Sequence, residues 1–205
     1  TCFECLAATI DANNIRKVEV ITKIDNPNEA IAYAKVLNDL KFTNHKILIF
    51  PSFHARWTNH HCYNDMVHMA SGKMFFITST DMIVEYGDWY NLFLDTRDKY
   101  FKDNIYFIHV PSYMSNGRRS YGSCAVTPEW VKVLGFLYPV PNCDSWMGHI
   151  SYQIKREIIL EEKDIRLHYP PGSRVMGKYQ KIHLFGHMLD KAVEIFRSEI
   201  DADKR

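Results

Sequence analysis

The sequence has few features that would associate it with a membrane, nucleic acid or an oxidising compartment. It contains no run of about 18 apolar residues, so no membrane span is predicted. No charged and then apolar leader opens it, so no secretory signal is predicted. The net charge is +1, whereas nucleic-acid-binding domains are usually clearly basic. The five cysteines are odd in number and scattered, which does not indicate a disulfide framework. The cytoplasm is therefore the simplest predicted location.

Length and composition are typical of a globular protein. Apolar residues make up 46% and charged residues 24% of the chain, which is ordinary for a globular domain. A chain of 205 residues is long enough for one full hydrophobic core and too short for two comfortable ones. We therefore predict a single domain over residues 1–205.

Short β-rich runs alternate with segments of helical periodicity in the first half of the chain. This order predicts an α/β fold in which a mostly parallel central sheet carries helices on both faces. The predicted strands are 17–24, 46–50, 74–79 and 104–110, and the predicted helices are 2–13, 28–40, 59–70 and one beginning near 88.

The second half of the chain has a different character. Residues 111–124 are rich in Ser, Asn, Gly and Arg, which predicts a loop. Helices are predicted at 128–134, 144–156 and 181–203, with a strand at 164–168. The last helix is amphipathic, and we expect its apolar stripe to pack on the sheet or on a second protomer.

Asp81 stands directly after an apolar strand. Open α/β sheets bind ligands at the carboxyl ends of their strands, so a carboxylate at this position is well placed to act on a ligand. Its oxygens suit a hard divalent cation held against a phosphate. The alternative is a structural role, because Asp is a common turn residue.

Four segments in order along the chain resemble the GT-A fold glycosyltransferases of the large family-two type, which use nucleotide-sugar donors. One resembles the family's strand carrying the metal-binding Asp-x-Asp signature, and another resembles its acceptor-side segment with the catalytic base. The matching segments are 18–25, 56–72, 75–81 followed by Gly87-Asp88-Trp89, and 134–139 followed by Asp144-Ser145-Trp146.

The resemblance implies a GT-A fold and an enzyme that moves a sugar from a nucleotide-diphosphate-sugar donor to a glycan or other hydroxyl acceptor. The reaction would be inverting and would depend on Mn²⁺ or Mg²⁺. Residues 1–110 would form the nucleotide-binding half, and residues 111–205 would form the acceptor-side half.

The resemblance also assigns donor-side residues. Asp25 would contact the nucleobase and Arg56 the diphosphate, while Ser79 and Thr80 would lie against the donor. Asp81 would bind the metal, and His168, which follows the last predicted strand, would complete the metal site. Alternatives remain open for two of these residues: Asp25 could cap the following helix, and His168 could simply be satisfied by backbone groups.

On the acceptor side, Asp144 would remove the proton of the attacking hydroxyl. Asp144 also stands where a helix should begin, so capping that helix is an alternative or additional role. Trp89 and Trp146 would stack on sugar rings, although such residues are more often half-buried core residues.

Two departures from the family pattern support a second hypothesis. Ser79 replaces the first Asp of the signature, and the family's first strand is not found within the 205 residues, which leaves one sheet edge without its neighbour. Both features would be expected of a catalytically silent module that binds a nucleotide or glycan. A nucleotidyltransferase is less expected, because the chain has no Gly-rich phosphate loop after a first strand.

Overall fold

The computed structural model describes most of the chain. The described residues are 2–49, 59–79, 81–97, 99–113, 116–117, 119–120, 123–138, 143–169 and 186–202. Their helices are α1 (Cys2–Ala8), α2 (Ala30–Asp39), α3 (Asn59–Met69), α4 (Trp89–Thr96), α5 (Pro128–Leu134), α6 (Cys143–Gln153) and α7 (Gly186–Ala202).

The strands are short. They are β1 (Glu19–Ile24), β2 (Asn44–Ile49), β3 (Phe75–Ile77), β4 (Ile83–Tyr86), β5 (Phe107–His109), β6 (Ser112–Tyr113), β7 (Arg119–Ser120), β8 (Cys124–Val126), β9 (Glu157–Ile159) and β10 (Arg166–His168). Each predicted strand and helix overlaps an observed one. Where the predicted ends fall on described residues they differ from those observed by up to five residues, whereas the predicted ends at 50, 181 and 203 lie outside the described residues.

Local capping explains why several helices begin and end where they do. Asp88 caps α4, and its carboxylate accepts a hydrogen bond of 3.2 Å from the backbone N–H of Asn91. Thr127 caps α5 in the same way at Trp130, with Pro128 in the first turn. Gly135 ends α5 at φ +76°, a left-handed conformation that glycine adopts without steric cost.

The prediction of a mostly parallel central sheet is wrong, and with it the fold class that the resemblance implied. The described strands form three sheets: β1 with β2, then β3-β8-β5-β9, then β4-β10-β6-β7. The pairs β1–β2, β5–β9 and β6–β10 are parallel, whereas β3–β8, β5–β8, β4–β10 and β6–β7 are antiparallel. The architecture is α/β with mixed sheets.

Strand β8 is the physical reason for the difference in the sheet β3-β8-β5-β9. It begins at Cys124, the last residue of the segment predicted to be a loop, and its residues Cys124, Ala125 and Val126 have exposed fractions of 2%, 0% and 0%. β8 runs antiparallel between β3 and β5 and therefore breaks the mostly parallel arrangement that was expected of their sheet. Three residues are too few for a periodic signal.

The sheet β3-β8-β5-β9 has a hydrophobic cluster on each face. Phe107 and Val126 point into one cluster, whereas the adjacent Ile108 and Ala125 point into the other, as the two-residue period of strands requires. The first cluster is covered by α5, α6 and α7. There the ring centroids of Trp130 and Phe196 lie 4.4 Å apart. The second contains residues of α4, β4 and β10.

The apolar side of helix α7 packs against the rest of the same chain. Ala192, Val193, Phe196 and Ile200 are buried in the first cluster, whereas Met188 and Ile195 are 45% and 40% exposed. Among the described helices, none is long and apolar enough to cross a membrane.

Candidate functional site

A cavity of about 790 Å³ lies between β1 and β3, and we call it the slot. Strand residues line two of its sides, and residues of α1, α3 and α4 line the others. One end of the slot, which we call the mouth, is polar and carries Lys23, Asp25, Thr78 and Ser79.

Strands β1 and β3 run in the same direction along the slot. At the end opposite the mouth, the carboxylate of Glu19 accepts a 2.7 Å hydrogen bond from the backbone N–H of Ser71 and lies 2.6 Å from Nζ of Lys46. Burial disfavours the ionised Glu19, but hydrogen bonds from Lys46 and Ser71 outweigh it, so the pKa of Glu19 lies below its ordinary value. Because β1 starts at Glu19 and β3 follows Ser71, the carboxyl ends of both strands lie at the mouth.

Asp25 lines the slot directly after β1, and it is accompanied there by Lys23. The two residues form an ion pair in which the Lys23 side chain is 15% and the Asp25 side chain 63% exposed. Lys23 was missed by sequence reasoning. The available signal was its position two residues before Asp25, because alternate residues of a strand point to the same face.

Ser79 and Asp81 contact each other beyond the end of β3. The Ser79 hydroxyl donates a hydrogen bond to the Asp81 carboxylate. Asp81 is exposed, so the carboxylate can be reached from solvent. A hydroxyl that holds Asp81 therefore takes the place of the first carboxylate of the expected signature.

His168 lies on β10, which pairs with the strand that follows Asp81 in the chain. In the antiparallel pairing of β4 with β10, His168 lies opposite Ile83. Ile83 follows Asp81 by two residues, so the Cα atoms of Ile83 and Asp81 are at most about 7 Å apart. Nδ1 of His168 lies 2.8 Å from Oε1 of Glu85, whose other oxygen lies 2.9 Å from Nε of Arg166.

These groups meet some requirements of a divalent-cation site. A carboxylate beside an imidazole nitrogen is the arrangement that orients histidine ligands, and Asp81 supplies an oxygen. Within the described residues, however, no group of three or more His, Cys, Asp or Glu could hold a metal ion. The described residues could therefore contribute at most two ligands here, and other groups such as phosphates and water would complete the coordination.

Both predicted acceptor tryptophans are buried. Trp146 is 2% exposed and lies in the first hydrophobic cluster. Trp89 is 7% exposed and lines the slot, and its Nε1 donates a 3.2 Å hydrogen bond to the carbonyl of Leu6. Neither indole is open on the surface for stacking, which corresponds to the core role left open by the sequence.

The remaining predicted site residues are described only in part. Asp144 is the second residue of α6, which agrees with its predicted place at the start of a helix. Its side chain, like the residues Arg56 and Thr80, lies outside the described part of the structure.

Cys2 provides a further link between α1 and the mouth. Burial, with smaller contributions from Cys5 and Asp81, raises the pKa of the Cys2 thiol to about 11. Cys2 also lines the slot, so the start of α1 lies at this cavity.

Comparison with known proteins identifies no family for the sequence. No model of a known protein family matches the sequence, and no curated protein is significantly similar to it.

Proposed function

We propose that the protein is a glycosyltransferase that moves a sugar from a nucleotide-diphosphate-sugar to an acceptor hydroxyl. The observation that carries the proposal is the convergence of Asp25, Lys23 and Ser79 at one mouth, with Asp81 hydrogen-bonded to Ser79. Carboxylates, a hydroxyl and an ammonium group at the carboxyl ends of strands are suitable partners for a nucleoside and its diphosphate.

Each residue of the mouth has a chemical role in this proposal. The Asp25 carboxylate accepts hydrogen bonds from the donor's nucleoside, and the Lys23 ammonium group, released from Asp25, contacts a phosphate oxygen. Asp81 and His168 would hold Mn²⁺ or Mg²⁺. When bound, such a cation would neutralise the negative charge that develops on the leaving diphosphate.

Asp144 is proposed as the general base. The acceptor hydroxyl attacks the anomeric carbon from the side opposite the diphosphate, so that the new C–O bond forms as the bond to the diphosphate breaks. The hydroxyl proton passes to the Asp144 carboxylate, and the configuration at the anomeric carbon is inverted.

A catalytically silent module that binds a nucleotide or glycan is the second candidate. Two observations favour it: Ser79 occupies the place of a carboxylate, and both predicted acceptor tryptophans are buried. This candidate predicts donor binding at the mouth without turnover.

Two measurements test the proposal in sequence. Isothermal calorimetry with a panel of nucleoside diphosphates, with and without Mn²⁺, measures binding. Incubation with labelled nucleotide-sugars and a set of hydroxyl acceptors then measures transfer. Binding with transfer supports the enzyme, binding without transfer supports the silent module, and the absence of both contradicts the two candidates.

We also propose a cytoplasmic location. Cys2, Cys5, Cys62 and Cys124 are all free thiols, as is usual where glutathione keeps proteins reduced. Fractionation of source cells with an antibody against the chain would test this location.

A further inference from the structure

Leu137 and Tyr138 lie between α5 and α6, in a stretch that is neither helix nor strand. Both residues are buried, with exposed fractions of 0% and 3%, so the polar groups of their backbone need partners within the protein. The side chain of Asn64 on α3 supplies them. Its Oδ1 accepts hydrogen bonds of 2.9 Å from the N–H of Leu137 and 2.8 Å from the N–H of Tyr138. Its Nδ2 donates one of 2.7 Å to the carbonyl of Tyr138.

This set of contacts requires the side chain of asparagine. It needs an acceptor for two N–H groups and a donor for one carbonyl on a single short side chain, which a carboxamide provides. A carboxylate of the same shape accepts but cannot donate, and its charge would face the carbonyl oxygen of Tyr138. Glutamine carries the same groups one methylene further from the helix. Asn64 therefore sets both the chemistry and the distance at which residues 137–138 lie from α3.

Helix α3 also forms a wall of the slot, through Cys62, Tyr63, Met66 and Val67. The hydroxyl of Tyr63 donates a long hydrogen bond of 3.5 Å to the carbonyl of Thr78, a residue of the mouth. The ring of Tyr63 packs edge-on against the ring of Tyr138, with centroids 5.5 Å apart. Helix α3 is therefore in contact with the mouth and with residues 137–138 at the same time.

Residues 137–138 lead into α6, whose second residue is Asp144. Four residues separate Tyr138 from the start of α6. Leu137 and Tyr138 also belong to the first hydrophobic cluster together with Trp146 and Met147 of α6, which are 2% and 0% exposed. A shift of this segment would therefore disturb α6 both through the chain and through the core that they share.

We propose that Asn64 is a positioning residue, which holds α6, and with it Asp144, at a fixed distance from the mouth. The inference rests on the proposed function, in which the mouth binds the donor and Asp144 is the base. Asn64 is not among the described residues that line the slot, so it acts through residues 137–138. A misplacement of about 1 Å can lower the rate of a reaction about 10²-fold, whereas donor binding depends on the mouth itself.

The test compares Asn64→Asp with the matched control Val131→Ala. Asn64→Asp keeps the acceptor oxygen and loses the donor to the Tyr138 carbonyl. Val131 is 6% exposed in the same hydrophobic cluster but lies on α5, so Val131→Ala loses packing and keeps the contacts of Asn64. If Asn64→Asp does not fold, Asn64→Gln takes its place, because it keeps a neutral amide and displaces it by one methylene.

The first readout, amide hydrogen exchange, needs no donor. It follows residues 147–150, whose N–H groups bond to the carbonyls of residues 143–146 in α6, with the amides of α7 as an internal reference for global stability. We expect residues 147–150, relative to α7, to exchange at least tenfold faster in Asn64→Asp than in Val131→Ala. Equal exchange would show that Asn64 only satisfies backbone groups, and would overturn the proposal.

The second readout separates donor binding from transfer. The Kd of a nucleoside diphosphate should agree within threefold among the parent and both variants. The kcat of transfer should fall at least tenfold in Asn64→Asp and less than threefold in Val131→Ala. Weaker donor binding in Asn64→Asp, or a parent-like kcat, would contradict the positioning role. If the parent itself shows no transfer, the proposed function fails, and the exchange comparison then decides alone whether Asn64 places α6.

Discussion

Restoring a second carboxylate at position 79 would change the response of the protein to metal. In the parent chain the Ser79 hydroxyl donates to the Asp81 carboxylate. Ser79→Asp removes this hydrogen bond and places a second negative charge beside an exposed one. Without metal, both effects destabilise the folded protein. With Mn²⁺, the same pair offers an additional hard oxygen ligand.

The magnitude follows from the exposure of the site. A hydrogen bond to a charged group contributes about 1.5–3 kcal/mol, and solvent at an exposed carboxylate reduces this to about 1 kcal/mol. Two like charges about 4 Å apart in water repel by about 1 kcal/mol. Ser79→Asp should therefore lower the free energy of unfolding by about 2 kcal/mol. For a chain of this size that corresponds to roughly 4–8 °C in Tm.

Scanning calorimetry with and without Mn²⁺ measures both effects. Mn²⁺ at 100 times its Kd should raise the free energy of unfolding of Ser79→Asp by about 2.7 kcal/mol. Ser79→Ala is the matched control, because it loses the same hydrogen bond without adding a charge, and it should gain much less from metal. Equal Mn²⁺ shifts in Ser79→Asp and Ser79→Ala would refute the reasoning that position 79 faces a metal site.

Three further predictions concern catalysis and stability. Asp144→Asn should retain donor binding but lower transfer by about 10²–10⁴-fold, and parent-like turnover would leave Asp144 as a helix cap only. Asp103→Ala should lower the free energy of unfolding, measured in urea, by about 3–5 kcal/mol. The reason is that Asp103 accepts two 2.8 Å hydrogen bonds from Arg156 and both side chains are nearly buried. A loss below about 1 kcal/mol would contradict this role. Because the pKa of Glu19 is lowered on folding, the stability it contributes is complete well above the ordinary value of 4.5 and declines as the pH falls through the lowered pKa. Unfolding midpoints at pH 7 and pH 3 should therefore differ less in Glu19→Gln than in the parent, and an equal difference would show that Glu19 is not the group involved.

The sequence predicted the helices well because their signals are local. Thr127 and Pro128 mark the start of α5 and Gly135 its end, and the predicted bounds 128–134 match those observed. The strands β1 and β2 were also recognisable, since each has six residues with a strong β-branched or apolar pattern.

Strand pairing could not be predicted in the same way. β8 has three residues and is held by partners more than 14 residues away in the chain, Phe75–Ile77 and Phe107–His109. Its direction depends on tertiary contacts that no local pattern contains. Because β3, β5 and β9 all run in one direction, this one strand makes the sheet β3-β8-β5-β9 mixed instead of parallel.

The candidate site shows the same division. The rule that the ends of parallel strands meet at one edge led to the prediction that Asp25 faces a ligand, and Asp25 lines the slot directly after β1. The pairing of Glu85 with His168 depends on which neighbouring side chains come within reach, which the sequence alone does not specify. The burial of Trp89 and Trp146 likewise depends on how helices pack over the sheets.

The most direct test of the central claim is a calorimetric titration of Mn²⁺-loaded parent chain with nucleoside diphosphates, repeated on Asp81→Asn and on Asp190→Asn. Asp190 is an exposed carboxylate on α7 and serves as the matched control. The proposal predicts that at least one diphosphate binds the parent and Asp190→Asn equally, and Asp81→Asn at least tenfold more weakly. Absence of binding, or equal binding to all three proteins, would contradict a donor site at the mouth.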